Sequence, residues 1–86
     1  MTTPRLSPGS RLVFDHVRRE HVVLIPEGVV RLNVTAAEVL GLCDGRRSLD
    51  QIVGALSARY AGVDVGDDVR GLVDALAAKG LLVDAP

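Results

Sequence analysis

The hydrophobic period of this 86-residue sequence changes once, at Asn33. Before Asn33, apolar residues alternate with polar ones or form short β-branched runs, which is typical of strands. After Asn33 they recur every three or four residues, which is typical of helices that face a core. This order of strands first and helices afterwards predicts one α+β domain.

Three short runs precede the change of period. Polar residues separate the first two runs, and Pro26-Glu27-Gly28 after the second is typical of a tight turn. Because short turns join neighbouring strands, we expect a three-stranded antiparallel meander. The last run ends the meander, so one of its edges should stay unpaired. The predicted strands are Arg11 to Val17, His21 to Ile25 and Val29 to Leu32.

Three helices are predicted after the meander. Thr35 with Glu38 forms a capping box for the first helix, with Val34 and Val39 placed as its hydrophobic staple. Ser48 with Gln51 forms a capping box for the second helix. Asp64 can cap the third helix, whose apolar stripe is Val69, Leu72, Val73 and Leu76. Three helices beside a small sheet resemble a winged helix-turn-helix arrangement with the sheet first.

The first ten residues show no period and contain Pro4, Pro8 and Gly9. We therefore predict a flexible N-terminal arm over residues 1–10 and a single domain over residues 11–86. The N-terminus lacks the pattern of a signal peptide, and no apolar run approaches the roughly 20 residues that span a bilayer. A single cysteine agrees with a cytoplasmic protein, because small secreted domains usually carry paired cysteines.

The sequence offers no catalytic constellation. Cys43 falls on the apolar stripe of the first helix, which favours a buried structural thiol over a nucleophile. His16 and His21 flank the first hairpin turn but lack the spacing of a metal site. The glycines form no phosphate-binding motif. We expect no catalytic residue, no metal and no cofactor, and therefore a binding module instead of an enzyme.

The charge distribution separates two kinds of binding module. Residues 48–86 hold three basic residues against six acidic ones, so the helical half is acidic. A DNA-reading helix needs Arg, Lys or Asn, and acidic helices repel the phosphate backbone. A DNA-binding winged helix is therefore the less favoured alternative. The unpaired edge of the third strand could instead accept an extended peptide as an added strand.

Several segments together carry a family resemblance. Residues 24–33 read LIPEGVVRLN, residues 35–37 read TAA, residues 42–48 read LCDGRRS, and residues 80–82 read GLL. Ile52, Leu56 and Tyr60 add to the match. With these features the stretch from His21 to Leu82 resembles the PqqD family of pyrroloquinoline quinone biosynthesis. The CDGRRS segment is its most specific part.

The resemblance implies a peptide chaperone. PqqD proteins bind the precursor peptide PqqA and present it to PqqE, a radical S-adenosylmethionine enzyme that cross-links a Glu and a Tyr of the peptide. They belong to the ribosomal-peptide recognition elements, whose leader peptide typically pairs with the third strand and lies against the third helix. A recognition element of another pathway, such as that of lasso peptides, stays an alternative. The implied peptide-binding residues are Val29, Val30, Arg31, Leu32, Val69, Leu72, Val73 and Leu76.

Two further expectations concern partners. Arg31 and Arg70 could add charge pairing to an acidic peptide. An open strand edge and a loose arm could let two copies exchange elements, so a homodimer is also predicted. No nucleic acid or membrane partner is expected.

Overall fold

The computed structural model describes all 86 residues and has five strands and three helices. The predicted α+β fold, with a three-stranded antiparallel meander followed by three helices, is confirmed. The predicted strands correspond to β2 (Arg11–Asp15), β3 (Glu20–Ile25) and β4 (Gly28–Arg31). The elements are β1 (Pro4–Leu6), β2 (Arg11–Asp15), β3 (Glu20–Ile25), β4 (Gly28–Arg31), α1 (Val34–Leu42), α2 (Leu49–Arg59), α3 (Gly66–Ala78) and β5 (Leu82–Asp84).

The meander has the strand order β2-β3-β4, so β3 is central and the other two strands are edges. Leu12 of β2 and Val30 of β4 both lie opposite Val23, which is fully buried. Because side chains alternate along a strand, these three side chains share the inner face of the sheet. The helices cover that inner face, and α1 packs against β2 and β3.

One hydrophobic core joins the sheet to the helices. Its margin is formed by half-buried residues that include Leu12, Val30, Leu32 and Leu72. None of the three helices is long and apolar enough to cross a membrane. The buried core consists of Val23, Val39, Leu40, Leu42, Cys43, Ile52, Leu56, Val69, Val73, Leu76, Leu81 and Leu82.

One of the two predicted capping boxes is present. Ser48 accepts a hydrogen bond from the Gln51 backbone N–H, and the Gln51 side chain accepts one from the Ser48 backbone N–H. The box predicted at Thr35 is wrong, because α1 begins earlier. Asn33 is its N-cap and accepts a hydrogen bond from the Ala36 backbone N–H at 2.8 Å.

The third helix begins without a side-chain cap. Its N-cap is Val65, and not the predicted Asp64. The Asp64 carboxylate still accepts a hydrogen bond from the Gly66 backbone N–H at 2.9 Å. Asp67 and Asp68 lie in the first turn, where negative charge interacts favourably with the positive end of the helix dipole.

The N-terminal residues differ from the predicted irregular arm. Pro4 is fully buried, and β1 pairs antiparallel with β5. The backbone N–H groups of Thr2 and Thr3 both donate to Asp84 Oδ1. The arm is therefore corrected to a paired strand at residues 4–6. Its partner lies almost eighty residues away, and pairing over such a separation leaves no local sequence pattern.

Candidate functional site

The outer edge of β4 is unpaired. Beyond β4, the Leu32 backbone N–H donates to the His21 carbonyl at 3.1 Å, which continues the ladder to β3. Opposite residues in an antiparallel pair alternate between hydrogen-bonded and non-hydrogen-bonded pairs. The backbone N–H and C=O of Val30, two residues before Leu32, must therefore also point towards β3. The backbone N–H and C=O of Val29 and Arg31 consequently face away from β3. They offer four hydrogen-bonding groups to an added strand.

The side chains of β4 divide between the two faces of the sheet. Val30 and the following Leu32 pack against the core, whereas Val29 is 60% exposed. The Arg31 guanidinium lies on the outer face and is bound to the Glu20 carboxylate, with Nε to Oε1 at 2.7 Å. The hydrogen bond and the charge of Glu20 raise the pKa of Arg31. Arg31 thus already has an acidic partner in its own chain.

A mainly apolar cavity of about 480 Å³ lies between α1, the end of α2 and the start of α3. Seven of its ten lining residues are hydrophobic. Val39, Leu56 and Val69 line it as buried core residues. Half-buried Leu72 and exposed Val63 also line it, so the cavity combines a buried apolar floor with accessible side chains. A cavity of this size and lining suits apolar groups of a ligand.

One side of the cavity is held by polar contacts between α1 and α2. The Tyr60 hydroxyl donates to Glu38 Oε1 at 2.8 Å, and Arg59 Nη1 lies 3.8 Å from Glu38 Oε2. The hydrogen bond to Glu38 raises the pKa of Tyr60. The Glu38 carboxylate therefore binds side chains at the end of α2. It does not take part in the capping box of α1 that the sequence predicted.

The β4 edge and the cavity are close along the chain. The chain leaves β4 at Arg31 and reaches Thr35, which lines the cavity, four residues later. Four residues span at most about 14 Å. A peptide longer than this could lie along β4 and still place a side chain in the cavity.

The structure divides the predicted helix positions into two groups. Val69 and Leu72 line the cavity. Val73 and Leu76 are only 0% and 5% exposed and belong to the core. The expectation that all four positions meet a peptide is therefore corrected at Val73 and Leu76, because these core side chains do not line the cavity. The helical spacing of apolar residues predicts that they are buried. It does not distinguish a residue inside the core from one that lines a cavity.

Sequence reasoning missed part of the cavity wall. Val63 lies in the loop after α2 and is 60% exposed. Val65 and Tyr60 line the cavity as well. The available signal was an apolar pair, Val63 and Val65, in a loop that carries Gly62 and Asp64. Loop residues follow no hydrophobic period, so the sequence pattern did not identify this pair as part of a site.

Two features concern a catalytic or metal-binding role. Cys43 is buried, as predicted, and its thiol donates to the Val39 carbonyl at 3.2 Å. Burial raises the pKa of this thiol to about 11, which disfavours the thiolate that a nucleophile needs. No cluster of three His, Cys, Asp or Glu side chains is arranged to hold a metal.

The helix that would read DNA in a winged helix is α3. It presents Asp67 and Asp68 in its first turn. Its Arg70 is bound to Asp50 of α2, with Nη2 to Oδ1 at 2.7 Å. No free cation in the first half of α3 remains to meet a phosphate, so the surface disfavours DNA.

Comparison with known proteins identifies a matching family. The profile of the family described as Coenzyme PQQ synthesis protein D (PqqD) matches residues 20–82. A PqqA binding protein of Rhodopseudomonas palustris (strain TIE-1) is 40% identical over 84 residues, covering 95% of this chain and 82% of that protein. A PqqA binding protein of Methylococcus capsulatus is 38% identical over 73 residues, covering 85% and 78%.

A solved structure shares the fold. It is the solution NMR structure of the PqqD truncation of Methylobacterium extorquens PqqCD, described as a functional and stand-alone recognition element for ribosomally synthesized and post-translationally modified peptides. It superposes with a TM-score of 0.74 at 39% identity and covers 93% of this chain and 87% of that one.

Proposed function

Because this chain belongs to the PqqD family, we propose that it is a recognition element that binds a PqqA-like precursor peptide as a strand added to β4. The observation that carries this proposal is the open edge of β4, where Val29 and Arg31 have backbone groups directed away from β3. Relatives named as PqqA binding proteins support the choice of peptide. The same relatives support a role in binding and not in catalysis.

The strength of binding indicates what the peptide must contain. Four backbone hydrogen bonds contribute a net of roughly 2–6 kcal/mol, before the cost of ordering the peptide. Micromolar affinity needs about 8 kcal/mol. A fully buried apolar side chain adds roughly 1.5–3 kcal/mol. The peptide should therefore carry at least one apolar residue that enters the cavity beside Leu72.

The direct contacts that we propose are limited to accessible groups. In the strand segment they are the backbone of Val29 and Arg31, with the side chain of Val29. In the helical part the contact is the side chain of Leu72, and buried Val69 forms part of the cavity floor. Val30 and Leu32 support the edge from the core side. The charges of Arg31 and Arg70 contribute little, because each already has an acidic partner.

We further propose that the bound peptide is presented to a PqqE-like radical S-adenosylmethionine enzyme, in the cytoplasm. Strand addition holds a leader segment and leaves the rest of the peptide free for an enzyme. The test is the rate of the Glu–Tyr cross-link made by a PqqE-like enzyme, with and without this protein. No acceleration at saturating protein would contradict presentation while leaving peptide binding intact.

Amide exchange tests the binding mode. A synthetic PqqA-like peptide is titrated into isotope-labelled protein, and protection is followed residue by residue. We expect protection to rise at the amides of Val29 and Arg31 and to change little at Val30, which already faces β3. If protection rose on α2 while β4 stayed unchanged, a helix in a groove would replace the added strand.

The alternatives are tested in the same titration. A lasso-type precursor peptide that bound more tightly than the PqqA-like peptide would assign the chain to another peptide pathway. Duplex DNA is the second competitor. A tight complex that weakened steeply between about 50 and 200 mM salt would indicate several phosphate contacts and contradict the peptide proposal.

A further inference from the structure

The second free edge of the meander is β2, which pairs with β3 alone. Because Val23 of β3 directs its backbone groups towards β4, its neighbour Val22 directs them towards β2 and is opposite Val13. The backbone groups of Leu12 and Phe14 therefore face away from the sheet. Neither residue takes part in any of the backbone hydrogen bonds made outside the helices and strands. This edge thus offers four free hydrogen-bonding groups, as β4 does.

A groove of about 630 Å³ lies on the inner side of the β2 edge, between the sheet and α1. Leu12 and Phe14 line it from β2, and Ala37 and Gly41 line it from α1. Gly41 is exposed, and a Cβ atom on it would meet nothing within 4 Å, so the groove is open at this point of α1. An open strand edge beside a groove is the same combination that forms the proposed peptide site at β4.

Phe14 is a large exposed side chain in this groove. It is 40% exposed, and its ring meets the rings of His16 and His21 edge to face, with centroids 5.0 and 4.9 Å apart. Aromatic side chains dominate the energetics of interfaces because each buries a large apolar area. The groove therefore offers an anchor for apolar side chains of a partner.

The two ends of β2 carry opposite charges on the outer face. Arg11 and Asp15 lie there together with Val13, since all three alternate with the inward Leu12 and Phe14. Neither Arg11 nor Asp15 has an ion-pair partner within the chain. Asp15 Oδ1 accepts backbone N–H groups of the following turn, and its second oxygen has no such bond. Both charges are available to a partner strand.

We propose that β2 is the docking edge for an extended segment of the modifying enzyme, which adds to β2 as an antiparallel strand. This inference rests on the proposed function, because it names the surface at which the presenting protein meets its enzyme. Antiparallel pairing continues the pattern of the meander and is more stable per residue than parallel pairing. The peptide takes the β4 edge, so β2 is the edge of the meander that stays open for a second partner.

The register determines the chemistry of the docked segment. Directly opposite residues of an antiparallel pair share one face of the sheet, so the residues opposite Leu12 and Phe14 meet the groove and should be apolar. The residue opposite Arg11 should be acidic, and the residue opposite Asp15 should be basic. From its N-terminus the segment therefore reads basic, apolar, any residue, apolar, acidic. A slip by one residue would turn the apolar side chains away from the groove.

The two added strands would belong to one sheet. Neighbouring strands lie roughly 4.8 Å apart, so an enzyme strand on β2 and a peptide strand on β4 would be separated by about 19 Å. About six extended residues span this distance, at roughly 3.3 Å per residue. A short stretch of the peptide beyond β4 is therefore enough to reach the enzyme.

Amide exchange of isotope-labelled protein tests the edge. A PqqA-like peptide is added first, and protection at Val29 and Arg31 shows separately whether the proposed function holds. A PqqE-like enzyme should then slow exchange at Leu12 and Phe14 and leave Val13 unchanged, because the Val13 N–H is already bonded to β3. No enzyme binding, or binding that leaves Leu12 and Phe14 unprotected, would overturn the proposal. Protection of these two amides by the peptide alone would assign β2 to the peptide and overturn it as well.

A matched pair of glycine variants tests the groove. Gly41→Met fills the groove from α1, whereas Gly54→Met adds the same side chain to α2 at an exposed position outside the groove. Both glycines lie in helices with open space around them, so both variants should fold at least as stably as the wild type. By calorimetric titration, Gly41→Met should weaken enzyme binding about tenfold or more, and Gly54→Met should leave it unchanged. Equal enzyme affinities of the two variants would overturn docking in this groove.

Charge reversal tests the register. Arg11→Glu places like charges opposite each other and should weaken enzyme binding about three- to tenfold. Arg46→Glu makes the same change in net charge at an exposed arginine without an ion-pair partner, in the loop before α2, and should have little effect. Exchange measured on the enzyme by mass spectrometry identifies the protected segment, which should carry the order from basic to acidic given above. Equal effects of the two variants, or a protected segment without this order, would overturn the proposed pairing.

Discussion

The guanidinium of Arg31 donates two hydrogen bonds to the carboxylate of Glu20, from Nε at 2.7 Å and from Nη2 at 3.0 Å. Glu20 begins β3 and Arg31 ends β4, so the pair spans the outer face of the sheet. The side chain of Arg31 is thus occupied, while its backbone N–H faces the open edge. An acidic peptide would have to displace Glu20 to use the charge, so we expect the backbone to contribute more than the charge.

Replacing Arg31 with proline should separate backbone from side chain. Arg31→Pro removes one open-edge N–H and puts a ring where the added strand would lie. We expect the affinity for a PqqA-like peptide to fall about tenfold or more. Arg31→Ala is the matched control, since it removes the same ion pair and keeps the N–H. Calorimetric titration measures both, and equal affinities for the two variants would contradict strand addition at β4.

Proline at the neighbouring position should affect the fold instead. The Val30 N–H faces β3, so Val30→Pro breaks a bond inside the meander. We expect it to lower the free energy of unfolding by about 3 kcal/mol, whereas Arg31→Pro changes it much less. Urea unfolding of both variants measures the difference. If Arg31→Pro lost more stability than Val30→Pro, the Arg31 N–H would point towards β3 and the Val30 N–H would lie at the open edge.

Two adjacent residues of α3 should separate binding from stability. Leu72 lines the cavity and is half-buried, whereas Val73 is fully buried in the core. Leu72→Ala should weaken peptide binding by roughly 1.5–3 kcal/mol with a small loss of stability. Val73→Ala should lower the free energy of unfolding by roughly 2 kcal/mol and leave the affinity of the folded protein nearly unchanged. Finding both effects in one variant would argue against a cavity distinct from the core.

The buried thiol should make stability depend on pH. Burial raises the pKa of Cys43 from 9.0 to about 11. A raised pKa in the folded state gives a stabilising contribution that is present below pH 9.0 and is lost as pH rises towards about 11. Cys43→Ala should cost roughly 1–2 kcal/mol near neutral pH, through lost packing. The difference in unfolding free energy between wild type and variant should shrink across that window. A constant difference would mean that the thiol is not desolvated.

The N-terminal strand should contribute to stability through Asp84. Its carboxylate accepts hydrogen bonds from the Thr2 and Thr3 backbones, which lower its pKa. A lowered pKa means that this stabilisation is present above pH 3.8 and is lost as pH falls through the folded pKa. Asp84→Ala should speed amide exchange along residues 2–6 and flatten the acid dependence of unfolding. Unchanged exchange there would indicate that β1 is held by its pairing with β5 alone.

Much of this fold follows from local sequence. The change of period at Asn33, the turn at Pro26-Glu27-Gly28 and the capping box at Ser48 and Gln51 each act over a few residues. Local interactions of this kind depend on neighbours along the chain, so a sequence pattern records them. The meander, the three helices and the open edge of its last strand were predictable for this reason.

Long-range contacts decided what the local pattern did not contain. Glu38 suits a capping box with Thr35, but Tyr60 of a later segment takes its carboxylate, and Asn33 caps α1 instead. Pro4 is buried because β1 meets β5 across the fold. A residue with two adequate partners adopts the one that tertiary packing brings within reach, and only the folded chain shows which that is.

The site divides in the same way. The sequence by itself determined that the meander would end in an edge strand and that the third helix would carry an apolar stripe, because period and order are local properties. Only the tertiary structure decided that Leu72 borders a cavity while Val73 lies in the core, since both satisfy the same helical period. It also decided that Val29 and Arg31 present the free backbone groups of β4. That choice depends on the register with β3, which a hydrogen bond from Leu32 to His21 reveals and no single segment specifies.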